Sequence, residues 1–536
     1  KMLSLFTRSS HSFQRRCRPF STNWVEQYRL LPEVLEAEKL GGEKSVALLA
    51  RAAEICTNSM PSNHPLSIIS SYQLACAHDL IGDYEKSNNI LNKLVLDTDD
   101  AVIASPLSRA LSITYLKMGQ TTEAEEAAWK AYHIVDGDDP ITTDVAALGE
   151  ALQCVGLSRV VSGDFEGAQD YLQQSTRMCT EGVPSLTALL NLAGAHWWKG
   201  TTSHFTKHGL YIIPDPSNED NNNTDSTTIT TTSSTTTSIS NVDIDVSELE
   251  DALSYFIEVI DIINGEEEID NSGSCMTPTK GSTPAASTST STSTFDQNAL
   301  KMDILKVNAM AGIGNIKQHH ITLPKRKSIR NKKKDGDDDK EGFESVSLKN
   351  DMNEASEAMF TALTESSNIL QKIEENKDSL IQSSSSSTCE HFITKAKIQL
   401  ILIQMRALTI LAKQKQIAGL AVSSEGLYRS ALSEYDNLIF ILNDNITKTS
   451  TSAPTSTLNS IGKFEKWQTL LEYQSLLNDW EDRESDAIET NKESNQILSD
   501  LAASRGLSKG GYLFSSLLQI PTLEDIGRDI QQSLNK

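Results

Sequence analysis

The sequence predicts an all-α protein built from stacked helix pairs, and three observations predict it. Aromatic residues make up only 6% of the 536-residue chain, while Ala, Leu, Ser, Thr and Glu dominate, a composition that favours helix-on-helix packing over a sheet core. Apolar residues recur at helical spacing in successive segments, and one set of offsets is found three times. Polar stretches of low complexity separate these segments. The length allows two or three ordinary domains or one extended array.

The threefold pattern is the strongest internal signal. A small residue allows close helix approach, and a glycine then ends the first helix of each pair. The three sets are Leu74-Ala75, His78, Gly82, Tyr84, Ser87, Leu91 and Leu94; Leu111-Ser112, Tyr115, Gly119, Thr121, Ala124, Ala128 and Ala131; and Val155-Gly156, Arg159, Gly163, Phe165, Ala168, Leu172 and Ser175. The pattern resembles the tetratricopeptide repeat, a pair of antiparallel helices, over about residues 66 to 180 and more weakly to 442.

Later pairs follow from periodicity, some of them interrupted. Leu192-Ala193, His196 and Gly200 match a fourth first helix, whereas its second helix reappears only at Leu249. The intervening residues 224–240 include 14 Ser or Thr in 17 positions, which predicts a disordered insertion. Long insertions at a helix-helix turn cost little loop entropy. Further pairs are predicted at 299–317 with 352–373, 393–418 with 425–442, and 464–480 with 484–503, before a short helix at 522–534.

These signals divide the chain into nine segments. They are a transit peptide (1–23), an N-terminal helical cap (24–65), three repeats and the first helix of a fourth (66–200), a disordered insertion (201–246), helices with a low-complexity insertion (247–320), a charged disordered loop (321–350), further helices (351–446), a linker (447–460) and a C-terminal helical cap (461–536).

The amino terminus has the composition of a targeting sequence. Five cations, Lys1, Arg8, Arg15, Arg16 and Arg18, precede the first acid at Glu26, as in mitochondrial or plastid transit peptides. The Arg18-Pro19-Phe20-Ser21 stretch resembles a matrix processing site. The predicted location is the mitochondrial matrix or a matrix-facing surface, with plastid and nucleus as alternatives. A disordered basic tail is the plain alternative, and the basic cluster at 325–334 is a competing nuclear signal.

The charge balance favours protein partners. The formal net charge is −24, which disfavours nucleic acid because a phosphate backbone attracts cationic surfaces. The chain has no apolar run long enough to span a bilayer. Its seven cysteines show neither a CxxC nor a metal-like spacing, so neither a disulfide framework nor a zinc site is predicted. The oligomeric state remains open.

No linear motif indicates catalysis, a cofactor or a metal. Gly312-Ile313-Gly314 lacks the preceding strand and third glycine of a dinucleotide loop. His204 and His208 have helical ligand spacing, but Gly200 and Gly209 favour loop histidines. Asp335 to Asp339 lacks the glycine and glutamate of a calcium loop. The sequence therefore predicts no enzyme activity.

The resemblance implies a right-handed solenoid whose concave groove, lined by the first helices, binds a peptide or partner helix. The candidate groove residues are Ile69, Tyr72, Cys76, Asp79, Arg109, Ile113, Leu116, Glu150, Gln153, Leu157 and Val160. Plain helix packing is the alternative for all of them. The family's carboxylate clamp is missing, since Tyr72, Cys76, Glu150 and Cys154 occupy its positions, so chaperone tails should not bind. Second-choice interface residues are Trp197, Trp198, Trp467 and Trp480, because aromatic residues dominate binding hot spots.

The predicted function is a non-catalytic protein-interaction scaffold, as accessory subunit or assembly factor of a mitochondrial complex. One alternative is an organellar RNA-binding helical-repeat protein, although the acidic charge counts against it. The other is an enzyme whose site is assembled without a linear motif.

Overall fold

The computed structural model describes residues 23–40, 42–136, 144–179, 182–207, 245–272, 297–322, 341–383, 387–449, 462–480, 482–503 and 518–535. Within these ranges the secondary structure is helical and contains no strand. The transit-peptide prediction, the Ser/Thr-rich tract at 224–240 and the basic cluster at 325–334 lie outside the described residues.

Eighteen helices occupy the described ranges. They are α1 (Trp24–Arg29), α2 (Pro32–Leu40), α3 (Gly42–Ser59), α4 (Pro65–Leu80), α5 (Tyr84–Asp97), α6 (Ala101–Met118), α7 (Thr121–Val135), α8 (Val145–Ser162), α9 (Phe165–Met178), α10 (Gly182–Lys207), α11 (Val246–Ser272), α12 (Gln297–Thr322), α13 (Glu341–Ser383), α14 (Ser387–Ile417), α15 (Ala421–Thr449), α16 (Lys463–Asn478), α17 (Glu484–Ala503) and α18 (Leu523–Asn535).

The turns within the first three pairs use the predicted glycines. Gly82, Gly119 and Gly163 adopt φ values of +79°, +77° and +87°, the left-handed conformation that glycine reaches without strain. Aspartates begin the second helix of the first and third pairs, where Asp83 accepts a hydrogen bond from the backbone N–H of Lys86 and Asp164 from that of Gly167. These caps satisfy backbone donors that the first helical turn leaves without partners, so the predicted helix-turn-helix punctuation is confirmed.

Small residues let the two helices of a pair approach closely. The Ser112 hydroxyl donates to the carbonyl of Ala124 at 2.7 Å, and a Cβ atom added to Gly156 would lie 2.6 Å from the Leu172 side chain. In the sixth pair, the Ser424 hydroxyl donates to the Ala412 carbonyl, also at 2.7 Å. The repetition of this contact links α14–α15 to the pairs at the amino-terminal end.

The helices pack in chain order as seven consecutive pairs, α4–α5 through α16–α17. From α6 onward each first helix also contacts the first helix of the next pair, so α6, α8, α10, α12, α14 and α16 form a continuous face, here called the first-helix face. The predicted pairing across the interrupted regions is confirmed, because α10 packs on α11, α12 on α13, and α14 on α15.

Two predicted boundaries are wrong. Helix α10 does not end at Gly200 but continues to Lys207, so the insertion cannot begin at residue 201, and His204 lies in a helix and not in a loop. A Cβ atom on Gly200 would lie 3.1 Å from the carbonyl oxygen of Asp245, so this glycine makes room for the start of α11. Helix α13 begins at Glu341, which shortens the predicted charged loop of residues 321–350.

Among the described residues, one helix is long and apolar enough to cross a membrane by length and composition, namely Val145–Ser162 (α8), and 61% of it is buried inside the fold. The core helix of a folded domain has the same properties.

Candidate functional site

The first-helix face is covered by a segment of the same chain. Residues 518–535, here called the 518–535 segment, include α18, which packs against α6, α4 and α1. The segment buries an apolar row comprising Leu523, Ile526 and Ile530, together with Leu518 before the helix. The spacing of three and four residues puts the row on one side of α18, so the helix is amphipathic and its apolar side faces the array.

Tyr72 on α4 holds the start of α18 in two ways. Its hydroxyl donates a hydrogen bond to the carbonyl oxygen of Leu523 at 2.5 Å. Its ring packs against Gly527, where an added Cβ atom would lie 2.8 Å from the ring. Burial raises the pKa of the Tyr72 hydroxyl well above its ordinary value, so the hydroxyl stays protonated and able to donate.

Arg109 on α6 links the segment to the array by charge. Its guanidinium lies 2.8 Å from the carboxylate of Asp529 on α18 and also pairs with Glu150 on α8. The Arg109 side chain is only 6% exposed, and burial of an arginine requires such partners because an unpaired buried charge is costly. One cation is therefore shared by the array and the segment.

Asn191 on α10 recognises the backbone of the segment before α18 begins. Its amide nitrogen donates to the carbonyl of Gln519 at 3.1 Å, and its amide oxygen accepts from the N–H of the same residue at 2.6 Å. Both contacts reach main-chain atoms, so they hold the peptide whatever its side chain at this position. Asn191 itself is fully buried.

Lys301 on α12 pairs with Asp525, which also closes the first turn of α18. The Thr522 hydroxyl accepts from the N–H of Asp525 at 3.1 Å, and the Asp525 carboxylate accepts from the N–H of Thr522 at 3.2 Å and from its hydroxyl at 2.7 Å, a reciprocal cap of the helix start. Burial alone would raise the pKa of Asp525, but Lys395, Lys301 and Thr522 outweigh it and hold that pKa well below its usual range.

These side chains form one site. We call Tyr72, Arg109, Glu150, Gln153, Asn191 and Lys301 the cradle. Between the cradle and the segment lies a cavity of about 360 Å³, lined in part by Gln153, Cys154, Ile304, Lys395 and Asp525. Burial raises the pKa of the Cys154 thiol to about 11, so this thiol is protonated and unreactive in the structure.

Four of the predicted groove residues, Tyr72, Arg109, Glu150 and Gln153, thus belong to the cradle. Others lie deeper or elsewhere. Ile113, Leu116, Leu157 and Val160 are fully buried between helices, and Cys76 is buried in the same core cluster. Asp79 pairs with Lys117 on α6 at 2.6 Å, and Ile69 packs with the amino-terminal helices.

The predicted interface tryptophans are mostly core residues. Trp197, Trp198 and Trp467 are at most 1% exposed. Trp198 packs on Phe464 of α16, with ring centroids 5.4 Å apart, which joins α10 to α16. Trp480 is partly buried and lies beside Arg483. In this structure the first three are unavailable to a partner.

The motifs considered above for metal or cofactor binding lie as follows. The described part of the chain holds no group of three or more His, Cys, Asp or Glu that could bind a metal. Gly312 and Gly314 lie inside α12, where added Cβ atoms would lie 2.6 Å from Phe256 and 2.7 Å from Met359; they serve helix packing. His208 and residues 335–339 lie outside the described residues.

Sequence reasoning missed Asn191, Lys301 and the segment itself as parts of the site. The only signal for the segment was its amphipathic pattern, since Leu523, Ile526 and Ile530 require an apolar surface that a short terminal helix cannot provide. The sequence of the segment does not indicate which surface of the protein it packs against.

No protein-family model matches this chain, and the comparison with curated proteins found no match.

Proposed function

We propose that the protein is a non-catalytic protein-interaction scaffold, a tetratricopeptide-like array whose first-helix face binds a segment of another protein. The observation that supports this is the way the 518–535 segment is held. Tyr72 and Asn191 both contact main-chain atoms of the segment. Contacts to the backbone hold a peptide without demanding a particular side chain, as in other modes of peptide recognition.

The site also has the make-up of a peptide-binding surface. It combines a mostly buried apolar floor, a tyrosine and an arginine with a few directed polar groups, the combination that dominates binding energy at interfaces. Arg109 and Lys301 supply positive charge in a chain whose net charge is −24. That local reversal of charge gives the face a preference among partners.

We further propose that this scaffold is a right-handed solenoid with disordered Ser/Thr-rich insertions and that it serves as accessory subunit or assembly factor of a mitochondrial complex. The cationic, acid-free amino terminus up to Arg18 supports this address. A fluorescent protein fused behind residues 1–30 should reach mitochondria, and the same fusion with Arg8, Arg15, Arg16 and Arg18 replaced by Gln should not.

The test of the binding function is gentle affinity purification of the tagged chain, followed by cross-linking and mass spectrometry of what co-purifies. We expect partner proteins, with lysine cross-links concentrated at Lys301 and Lys395 beside the cavity. Lys93 and Lys130, exposed on the second helices α5 and α7, are the matched reference positions. Cross-links mainly at those two, or co-purification of nuclease-sensitive RNA without a protein, would overturn the proposal.

A further inference from the structure

We propose that the cradle recognises an acidic amphipathic helix of its partner, and that the 518–535 segment is a built-in copy of this ligand which the partner displaces. Relative to Leu523, the pattern is apolar at the third and seventh following residues, glycine at the fourth, and carboxylate at the second and sixth. This inference rests on the proposed function and names the class of partner for the same site.

The glycine position is a steric requirement. A glycine inside a helix costs about 1 kcal/mol relative to alanine, so Gly527 weakens α18 as an isolated helix. At this position, however, a Cβ atom would lie 2.8 Å from the ring of Tyr72, closer than packed atoms approach. A helix that docks in the same register must therefore present glycine to Tyr72.

The carboxylate positions are an electrostatic requirement. Asp525 and Asp529 are four residues apart, so they lie on one side of α18, and they meet Lys301 and Arg109 respectively. Lys395 adds a third cation close enough to act on Asp525, against the single acid Glu150 of the cradle. A helix with amides at both positions would leave these partly buried cations with fewer counter-charges.

The segment also leaves the site incompletely filled. The cavity of about 360 Å³ between the segment and the array is lined by several apolar side chains, including Val183, Ile304 and Leu305. Atoms that line a void lose dispersion contacts. A partner helix with larger side chains near the position of Pro521 would fill this space, and so could displace the segment that the chain itself supplies.

The test uses the full chain and separates opening of the cradle from binding. Gly527→Leu should eject the segment because its side chain collides with Tyr72, while Gln531→Leu, on a partly exposed position one helical turn later, is the matched control. Opening is measured by iodoacetamide labelling of Cys154, mapped by mass spectrometry. We expect labelling to accelerate about tenfold or more in Gly527→Leu, as loss of roughly 1.4 kcal/mol of docking would give, and not in Gln531→Leu.

Binding is measured by fluorescence polarisation with synthetic peptides. The probes are the 518–535 sequence, a helix that keeps only its six pattern positions, and a scrambled peptide of the same composition. A tethered segment competes at an effective concentration on the order of mM, so the first two probes should bind Gly527→Leu at least about tenfold more tightly than the wild type. The scrambled peptide and a peptide carrying Gly527→Leu should not bind. A peptide carrying Asp525→Asn and Asp529→Asn should bind more weakly and lose its salt dependence.

Two results would overturn the inference. If Cys154 becomes reactive in Gly527→Leu but neither patterned peptide binds, the ligand class is wrong, whereas the scaffold function, judged by co-purifying proteins, is untouched. If Gly527→Leu leaves Cys154 protected, the segment does not dock through this glycine. Should Gly527→Leu fail to fold by circular dichroism, Asp529→Asn replaces it in both measurements, with the same criteria.

Discussion

Two regions of this molecule contain the same two kinds of contact, a buried ion pair and a glycine packed against an aromatic ring. At the cradle, a buried arginine, Arg109, pairs with a carboxylate, and a glycine packs against an aromatic ring. In the later half of the array, Arg406 on α14 pairs with Glu465 on α16 at 3.4 Å, both about 5% exposed, and Gly312 on α12 packs against Phe256 on α11.

The two regions differ in which helices supply the residues that meet the arginine and complete the glycine–ring contact. Glu465 on α16 and Phe256 on α11 belong to helices of the consecutive pairs, whereas Asp529 and Gly527 belong to α18, which follows the last pair and packs back on α6, α4 and α1. The same chemistry should therefore stabilise the whole fold in one place and control occupancy of a site in the other. Substitutions at matched positions can separate these two outcomes.

The largest effect should come from Glu465→Gln. Glu465 is a counter-ion of the buried Arg406, and breaking a buried pair costs about 3–5 kcal/mol. Burial already lowers the pKa of Arg406, although Glu465 opposes that shift. Urea unfolding should show the loss, while Glu434→Gln on the outer side of α15 should change the free energy of unfolding by less than about 0.5 kcal/mol. Combining Arg406→Met with Glu465→Leu should restore most of the stability; if it does not, the pair is more than a buried ion pair.

Gly312→Ala should have the next largest effect. A methyl group at this position would lie 2.6 Å from the Phe256 ring, and overpacking of this kind costs about 1–3 kcal/mol. Gly426→Ala is the control, because an added Cβ there has nothing within 4 Å and should stabilise α15 by about 1 kcal/mol through helix propensity alone. Thermal denaturation of the two variants should move in opposite directions. A stabilised Gly312→Ala would contradict close packing between α11 and α12.

The glycines of this chain show which parts of the fold the sequence alone can predict. Gly82, Gly119 and Gly163 were predicted because the same offsets recur in three successive segments, and that signal is present in the sequence itself. Gly200 and Gly312 lie within helices, where the reason for glycine is a residue of another helix. A sequence pattern cannot distinguish a glycine that ends a helix from one that lets a neighbouring helix approach. Gly200 was therefore assigned wrongly to the end of a helix.

The same limit applies to the site. Tyr72, Arg109, Glu150 and Gln153 were named because repeat offsets place first-helix residues on a common face. Asn191 lies in the fourth first helix, one position away from the offset shared by Tyr72, Arg109 and Gln153, and Lys301 lies in a pair predicted from periodicity without offsets. The periodicity of residues 522–534 predicted a helix, but its docking surface depends on tertiary packing between distant parts of the chain.

At the cradle, Asp529→Asn should release the segment without unfolding the array. Arg109 keeps Glu150 as a partner, so the cost is confined to one charged hydrogen bond, about 1.5 kcal/mol, which corresponds to a roughly tenfold increase in the labelling rate of Cys154. The midpoint of urea unfolding should stay the same. Asp170→Asn, exposed on α9, controls for the lost charge. A large drop in global stability would mean that the segment is as integral to the fold as α16.

The smallest effect should be a change in the pH profile of Cys154. Burial raises the pKa of this thiol to about 11, with Arg109 acting weakly in the opposite direction. Burial therefore favours the neutral thiol, and alkylation of the wild type should rise steadily from about pH 7 to about pH 10. In Gly527→Leu, water reaches the thiol, and the rate should level off near the ordinary thiol pKa of about 8.5. Cys56 on α3, whose thiol pKa is raised by burial with Ser70 and Glu33 as its other influences, should keep one profile in both proteins. If the wild-type profile of Cys154 already levels off near the ordinary value, the cradle is open in solution, and the contrast with the permanently buried pair of Arg406 and Glu465 is greater than the structure indicates.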